Sequence, residues 1–565
     1  MTGIRQDHDV HTSLDVAAKP VALPKRPLWR RLLKWFLWAV ASIVGLVVVL
    51  VLVVWWLWGS GRMLNFFMGQ EAERVEKLAP TERPWPPPGT PPGAEPTDTW
   101  PGPRLALSEA RSAAEFFRAT NVWEVELRFT DREWKKIQQR PVAPAMPLGQ
   151  PPEKFPLRNA AATRNGLAGV LGIEQPWSSA EVLVGGVAHT NVSVRFKGNG
   201  TFVGALATHK KPFKVDFSRK AGSRRIAGFP VLNLNNLNAD HSCVSDAMAY
   251  AFYREAGVPA PRTAYARLLL DIEGKFRRRP MGLYVLVENL DGYWAREAFP
   301  GRDILLFKPV TYELFSDLGD NWSAYAGIYD PKTDPTEAQQ RRVMETARFV
   351  TSATDAEFAA GVGQYFDLEE VARFVAVTSM LSSYDGFLVN GQNFLMYLDS
   401  GSGKFGFIPW DLDQAWGGFP LQGTRLQRET ASYRRPWVAD HRLLERLFAV
   451  ETFDTLYRRE YERIFRQHFL VPQLREQARR LARMVRPTVL EESDYRVDRF
   501  DQSHAEEWPD EEPEAVVSDP FRPAHRIHRF LVKRAETLEA QFSGKEPGYV
   551  FERRNLVDNN TPAEP

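Results

Sequence analysis

From Trp35 to Trp58 the chain reads WFLWAVASIVGLVVVLVLVVWWLW, 24 residues without a charge. As a helix this run is about 36 Å long, against a hydrocarbon core of about 30 Å. It is longer than the apolar stretch of a cleaved signal peptide and ends in tryptophans, so it reads as an uncleaved signal anchor. A buried core helix would not ask for tryptophan at both ends, whereas the bilayer interface does. Lys25, Arg26, Arg30, Arg31 and Lys34 precede the run, and a mixed-charge stretch follows it. The charge bias predicts a single-pass membrane protein with its N-terminus in the cytoplasm and its main domain extracytoplasmic.

The expected organisation follows from this anchor. Residues 1–34 form a cytoplasmic tail, 35–58 the transmembrane segment, and 59–104 a linker whose end, TERPWPPPGTPPGAEPTDTWPGPR, carries nine prolines. Such a stretch is extended and semi-rigid, and is expected to act as a spacer. Residues 105–310 are rich in strand-like runs, namely 122–129, 191–196, 212–217, 266–272 and 282–288, and predict an antiparallel sheet. One helix opens near Asp240 or Ser242 and stops at Gly257. Residues 311–545 are dominated by helical patterns at 367–382, 441–468 and 522–542, and 546–565 form a tail. A β-rich part followed by an α-rich part, with polar motifs where they meet, predicts an α+β enzyme with a cleft.

Composition excludes several classes. With 72 Lys and Arg against 70 Asp and Glu, the chain has no net field suited to DNA or RNA, and no nucleic-acid partner is expected. The single cysteine, Cys243, cannot form an internal disulfide and lacks the spacing of a zinc or CxxC site. His525 and His528 sit three apart on a basic helix with nothing nearby to complete a metal site, and are expected on a solvated face.

Three segments carry polar residues that a fold alone would not require. In RFKGNGTFVGALATHKKPFKVDF (195–217) a strand leads through glycines to a second strand bearing Lys210, Lys211 and Lys214. Glycines admit an anion to backbone N–H groups, and a lysine on the next strand can reach the same phosphates. Phe213, Val215 and Phe217 share one strand face, so Lys214 lies on the other. In SSYDGFLVNGQNF (382–394), Asp385 and Asn390 have the spacing by which kinases place a base beside an acceptor hydroxyl and an amide oxygen on a metal. In KFGFIPWDLDQAWGG (404–418) an apolar strand ends in Asp411 and Asp413, and two such carboxylates are costly unless paired or bound to a cation such as Mg²⁺. A P-loop is excluded, and the H-R-D and D-F-G tripeptides of ordinary protein kinases are absent.

Together RFKGNGTF, KKPFKVDF, LNLNNLNADHS, AFYREAGVPAPR, GLYVLVENLD, SSYDGFLVNGQNF and FIPWDLDQAWG resemble the CotH family of spore-coat-type atypical protein kinases, over about residues 120–417. The resemblance implies a two-lobed, atypical protein-kinase-like fold and transfer of phosphate from ATP to protein Ser/Thr with Mg²⁺ or Mn²⁺. Carried over by motif, Lys214 would contact ATP phosphates together with Lys211, Gly198 and Asn199. Asp385 would be the catalytic aspartate, and Asn390, Asp411 and Asp413 would hold the metal. Glu288 or Asp246 would pair with Lys214. The family usually shows R-G-N-S where this chain has Lys197-Gly198-Asn199-Gly200, so no hydroxyl contact is expected from position 200. Two rival readings stay open: a non-catalytic kinase-fold protein of envelope or surface assembly, and nucleotidyl transfer. ATP is scarce outside the cytoplasm, which sets the expected topology against the expected activity.

Overall fold

The computed structural model describes residues 99–138, 174–198, 205, 208–311, 313–389, 391–509 and 524–552. The expected span 35–58, the N-terminal tail, Asn199, Asn390 and residues 553–565 lie outside the described residues, whereas the start of the expected C-terminal tail is not free, since Phe551 is buried in the core. Among the described residues no helix is long and apolar enough to cross a membrane.

Seven strands form a closed barrel: β1 (Val122–Phe129), β2 (Ser178–Val184), β3 (Val187–Phe196), β4 (Phe213–Asp216), β5 (Val231–Asn235), β6 (Thr263–Ile272) and β7 (Phe276–Glu288). Their order is β1-β2-β3-β4-β5-β7-β6. All ladders are antiparallel except the closing one, in which β1 and β6 run parallel with Val125 opposite Leu268. The expected antiparallel sheet is therefore closed on itself, which removes its edges. Alternation fills the interior with Val125, Leu127, Val182, Val194, Val215, Leu232, Leu268 and Leu286.

The outer face of β6 and β7 is apolar as well. Tyr265, Leu283, Val285 and Val287 belong to a second core shared with the helices. Burial on both faces explains why these strands read as nearly continuous apolar runs. The principal helices are α1 (Ser245–Glu255), α2 (Leu368–Met380), α3 (Glu451–His468), α4 (Val471–Val489), α5 (Asp494–Ser503) and α6 (Ile527–Phe542). A small sheet of order β10-β9-β8 is built from β8 (Ile304–Phe307), β9 (Phe394–Asp399) and β10 (Lys404–Pro409). β8 thus precedes residue 310 in sequence but pairs with strands that follow it.

Two expectations are corrected here. The end of the proline-rich linker is not a free spacer, because Trp100 is buried and its indole N–H donates to Thr488 Oγ1 at 3.1 Å. The helix carrying His528 is not solvated: His528, Arg529 and Arg534 are all buried. Arg534 donates to the carbonyls of Ser379, Met380 and Ala431 at 3.0, 3.2 and 2.6 Å. The first two belong to the last turn of α2, where carbonyls lack intrahelical partners and carry the negative end of the dipole. Among the described residues there is no group of three or more His, Cys, Asp or Glu able by themselves to hold a metal.

Candidate active site

Strands β3, β4 and β5 present a polar stripe on the outside of the barrel. Register places Arg195 opposite Lys214, Lys214 opposite Asn233, and Asn233 opposite Val287. With Phe213 and Val215 buried inside, Lys214 faces outward, as the strand period requires. Its Nζ donates to Asn289 Oδ1 at 3.0 Å, and Asn289 in turn donates to Asp291 Oδ2 at 2.8 Å. Burial, reinforced by Arg195, Lys332 and Lys197, pulls the Lys214 ammonium down to about 7.

Lys197 leaves β3 on the same face. It donates to Asn235 Oδ1, and its Nζ lies 5.7 Å from the centroid of the Trp410 ring. Burial lowers its pKa, while Asp411 and Asp246 partly offset that loss. The following turn is made by Gly198 at φ +75°, a conformation that favours glycine, and its carbonyl accepts from Gln175 Nε2 at 2.8 Å.

Two of the expected ligands point elsewhere. Lys211 is buried and its Nζ donates to the Ala205 carbonyl. Glu288 does not pair with Lys214: it takes Arg262 in a 2.5 Å ion pair and accepts the Arg262 N–H at 3.0 Å. The reason is parity, since Val287 and Asn289 share the face of Lys214 and Glu288 lies between them on the other.

Facing this stripe in charge are four aspartates. The turn after β10 is held by the start of α1: the Leu412 N–H donates to Asp246 Oδ1 at 2.9 Å and Ser245 Oγ donates to the Leu412 carbonyl at 2.9 Å. Asp411 adopts φ +58°, a left-handed conformation costing a non-glycine residue about 1–2 kcal/mol, and its N–H donates to Tyr250 Oη at 2.9 Å. Asp385 accepts from Gln392 Nε2 at 3.3 Å through Oδ1. Asn393 Nδ2 donates to the Asp385 carbonyl at 2.8 Å, and the Trp410 N–H donates to the Asn393 carbonyl at 3.2 Å. These bonds join the Asp385 loop to the strand end.

The carboxylates also disfavour one another's charge. Burial raises Asp413 well above the carboxylate range, and Asp411, Asp246 and Asp385 raise it further. Burial, then Asp411 and Asp240, push Asp246 up to about 7. Asp246 Oδ2 is buried without a hydrogen-bond partner. These carboxylates do not by themselves make a metal group, so with the oxygen orphaned on Asp246 they fit a hard divalent cation only where phosphate and water oxygens complete its shell. Asp411 and Asp413 are the strand-end members able to hold it, with Asp246 beside them.

Sequence reasoning gave no role to Lys197, Trp410, Lys308 or Lys332. Lys308 ends the apolar strand ILLF just as Lys214 interrupts PFKVDF, and that lysine at a buried strand end was the available signal.

Residues 194–538 match the family model described as CotH kinase protein. That match, over a fold of mixed strands and helices, makes this a kinase-like protein. The match covers more than half of the chain, and the chain belongs to the CotH family. It is 23% identical over 310 residues to the inner spore coat protein H of Bacillus subtilis (strain 168), spanning 54% of this chain and 79% of that protein. The single-pass, extracytoplasmic placement expected from the sequence is corrected by these findings. No described helix can cross a membrane, and the relative is named as a spore coat protein rather than a single-pass membrane protein.

Proposed function

We propose that this chain transfers the terminal phosphate of ATP to a Ser or Thr hydroxyl of a protein, with Mg²⁺ or Mn²⁺. The observation that carries the reading is the opposition of two half-buried lysines, Lys214 and Lys197, which among the described residues have no carboxylate partner, to an aspartate cluster with an orphaned oxygen on Asp246. Lys214 and Lys197 bind the nucleotide phosphates, and the Gly198 turn lets the backbone approach them. Asp385 orients the acceptor hydroxyl and takes its proton. Asp411 and Asp413, with Asn390, hold the metal, which when bound neutralises charge on the phosphates. Lys211 serves by tying down the loop at Ala205.

A second reading, assembly of a surface layer without catalysis, is favoured by the name of the spore coat relative. The two are separated by incubating the full chain with Mg²⁺ and ATP labelled on either the α or the γ phosphate, beside Asp385→Asn and Asp411→Asn. Protein label from γ only, lost in both variants, supports the kinase. Label from α indicates nucleotidyl transfer, and no label with no nucleotide-dependent rise in Tm supports assembly.

A further inference from the structure

Lys308 immediately follows β8 and so belongs to the small sheet whose β10 ends at the aspartates. Its Nζ lies 5.3 Å from the centroid of the Trp410 ring, the same ring approached by Lys197 from the barrel. One nearly buried indole, 9% exposed, therefore has an ammonium from each of the two sheets over it. Among the described residues no carboxylate lies within ion-pair distance of Lys308, and the nearby Asp330 is taken by Lys332 at 2.5 Å.

A cation–π contact returns up to about 2 kcal/mol, less than the several kcal/mol that withdrawing an ammonium from water costs. Lys308 is half-buried, so that cost is partial, and among the described residues no protein acceptor takes its ammonium N–H donors, which leaves them to solvent or a bound anion. Burial draws Lys308 down to about 8, and Asp411 leads the acids acting on it, whereas the leading acid acting on Lys214 is Asp291. Lys308 is thus on the Asp411 side of the cation stripe.

We propose that Lys308 is a catalytic residue that donates to the non-bridging oxygens of the terminal phosphoryl group, while Lys214 serves the inner phosphates. The inference rests on the phosphotransferase reading. In the step it serves, the acceptor oxygen bonds to the terminal phosphorus and the bond from that phosphorus to the bridging oxygen breaks. The hydroxyl proton passes to Asp385, and ADP leaves with the bridging electron pair. Lys308 keeps its protons and spreads the charge on the group in flight.

The test compares the full chain with Lys308→Met and Lys308→Arg, measuring γ-label transfer and the affinities of Mg²⁺ complexes of ADP and of a non-hydrolysable ATP analogue. Lys308→Met is expected to lower kcat by about 10²–10³-fold, the usual loss for one donor to a developing anion. Its ADP affinity stays within about twofold, its preference for the triphosphate disappears, and Lys308→Arg recovers a tenfold or greater part of the rate. Transfer within about threefold of wild type in Lys308→Met, or equal loss of both affinities, overturns the proposal. A wild-type chain that transfers nothing overturns the phosphotransferase reading and the catalytic role together. In that case a triphosphate preference lost in Lys308→Met still marks Lys308 as a phosphate contact.

Discussion

Asp246 is retained at a cost to stability, and Asp246→Asn should expose that cost. The substitution keeps an oxygen for the Leu412 N–H, bonded now at 2.9 Å, and removes the charge that burial, Asp411 and Asp240 disfavour. The folded-state pKa of about 7 lies roughly three units above the carboxylate's ordinary value. At about 1.36 kcal/mol per unit the ceiling is about 4 kcal/mol. Lys197 and solvent at the half-exposed strand end share the field, so about 1–3 kcal/mol is expected. Because the folded state binds the extra proton, wild-type stability falls as pH rises from about 4 to 7 and is lowest above 7. In metal-free buffer Asp246→Asn should therefore melt several degrees above wild type at pH 8 and level with it at pH 4. Added Mg²⁺ should raise the Tm of wild type by more than that of the variant, which keeps Asp411 and Asp413 but lacks the neighbouring charge. A variant less stable than wild type at pH 8, or equally stabilised at both pH values, would refute the argument that this carboxylate is held for a cation.

Other consequences can be measured by denaturation. Glu492 pairs with the buried Lys210 at 2.5 Å and accepts the Leu283 N–H at 2.9 Å, so Glu492→Gln leaves an ammonium uncompensated and should cost about 3–5 kcal/mol in urea unfolding. Gly282 sits at φ +78°, and an added Cβ would lie 2.2 Å from Glu492 Cγ, so Gly282→Ala should also lower the urea midpoint, by more than strain alone would. His528 is pushed down to about 4, first by burial and then by His504 and Arg475. Its unfolded form takes a proton below about 6.5, so stability falls with pH from about 6.5 to 4, and His528→Asn should flatten that limb by about 2–3 kcal/mol.

Much of the site was legible in short stretches. The run 122–129 coincides with β1, and the apolar strand ending in Asp411 is β10. The helix opening after Asp240 is α1, with Asp240 accepting the Ser245 N–H at 3.0 Å. Long-range pairing was not legible: β1 and β6 are far apart in sequence, and nothing local announces that they close a barrel in parallel. The Glu288 expectation failed on strand parity that the sequence did contain, since Asn289 is the residue in step with Val287. The basic helix α6 was misread because arginine normally marks solvent. Here Arg534 is spent on the carbonyls that end α2, and only tertiary structure brings those within reach.

The central claim is that the lysine stripe of the barrel and the aspartates after β10 act on one bound molecule. A double-mutant cycle on Mg²⁺–ATP affinity in the full chain, using Lys214→Met, Asp411→Asn and the pair, tests it directly. One shared site predicts that the double variant loses less than the two single losses combined, with a coupling of about 1 kcal/mol or more. Strict additivity, or Mg²⁺-independent ATP binding that ignores Asp411→Asn, would contradict the account.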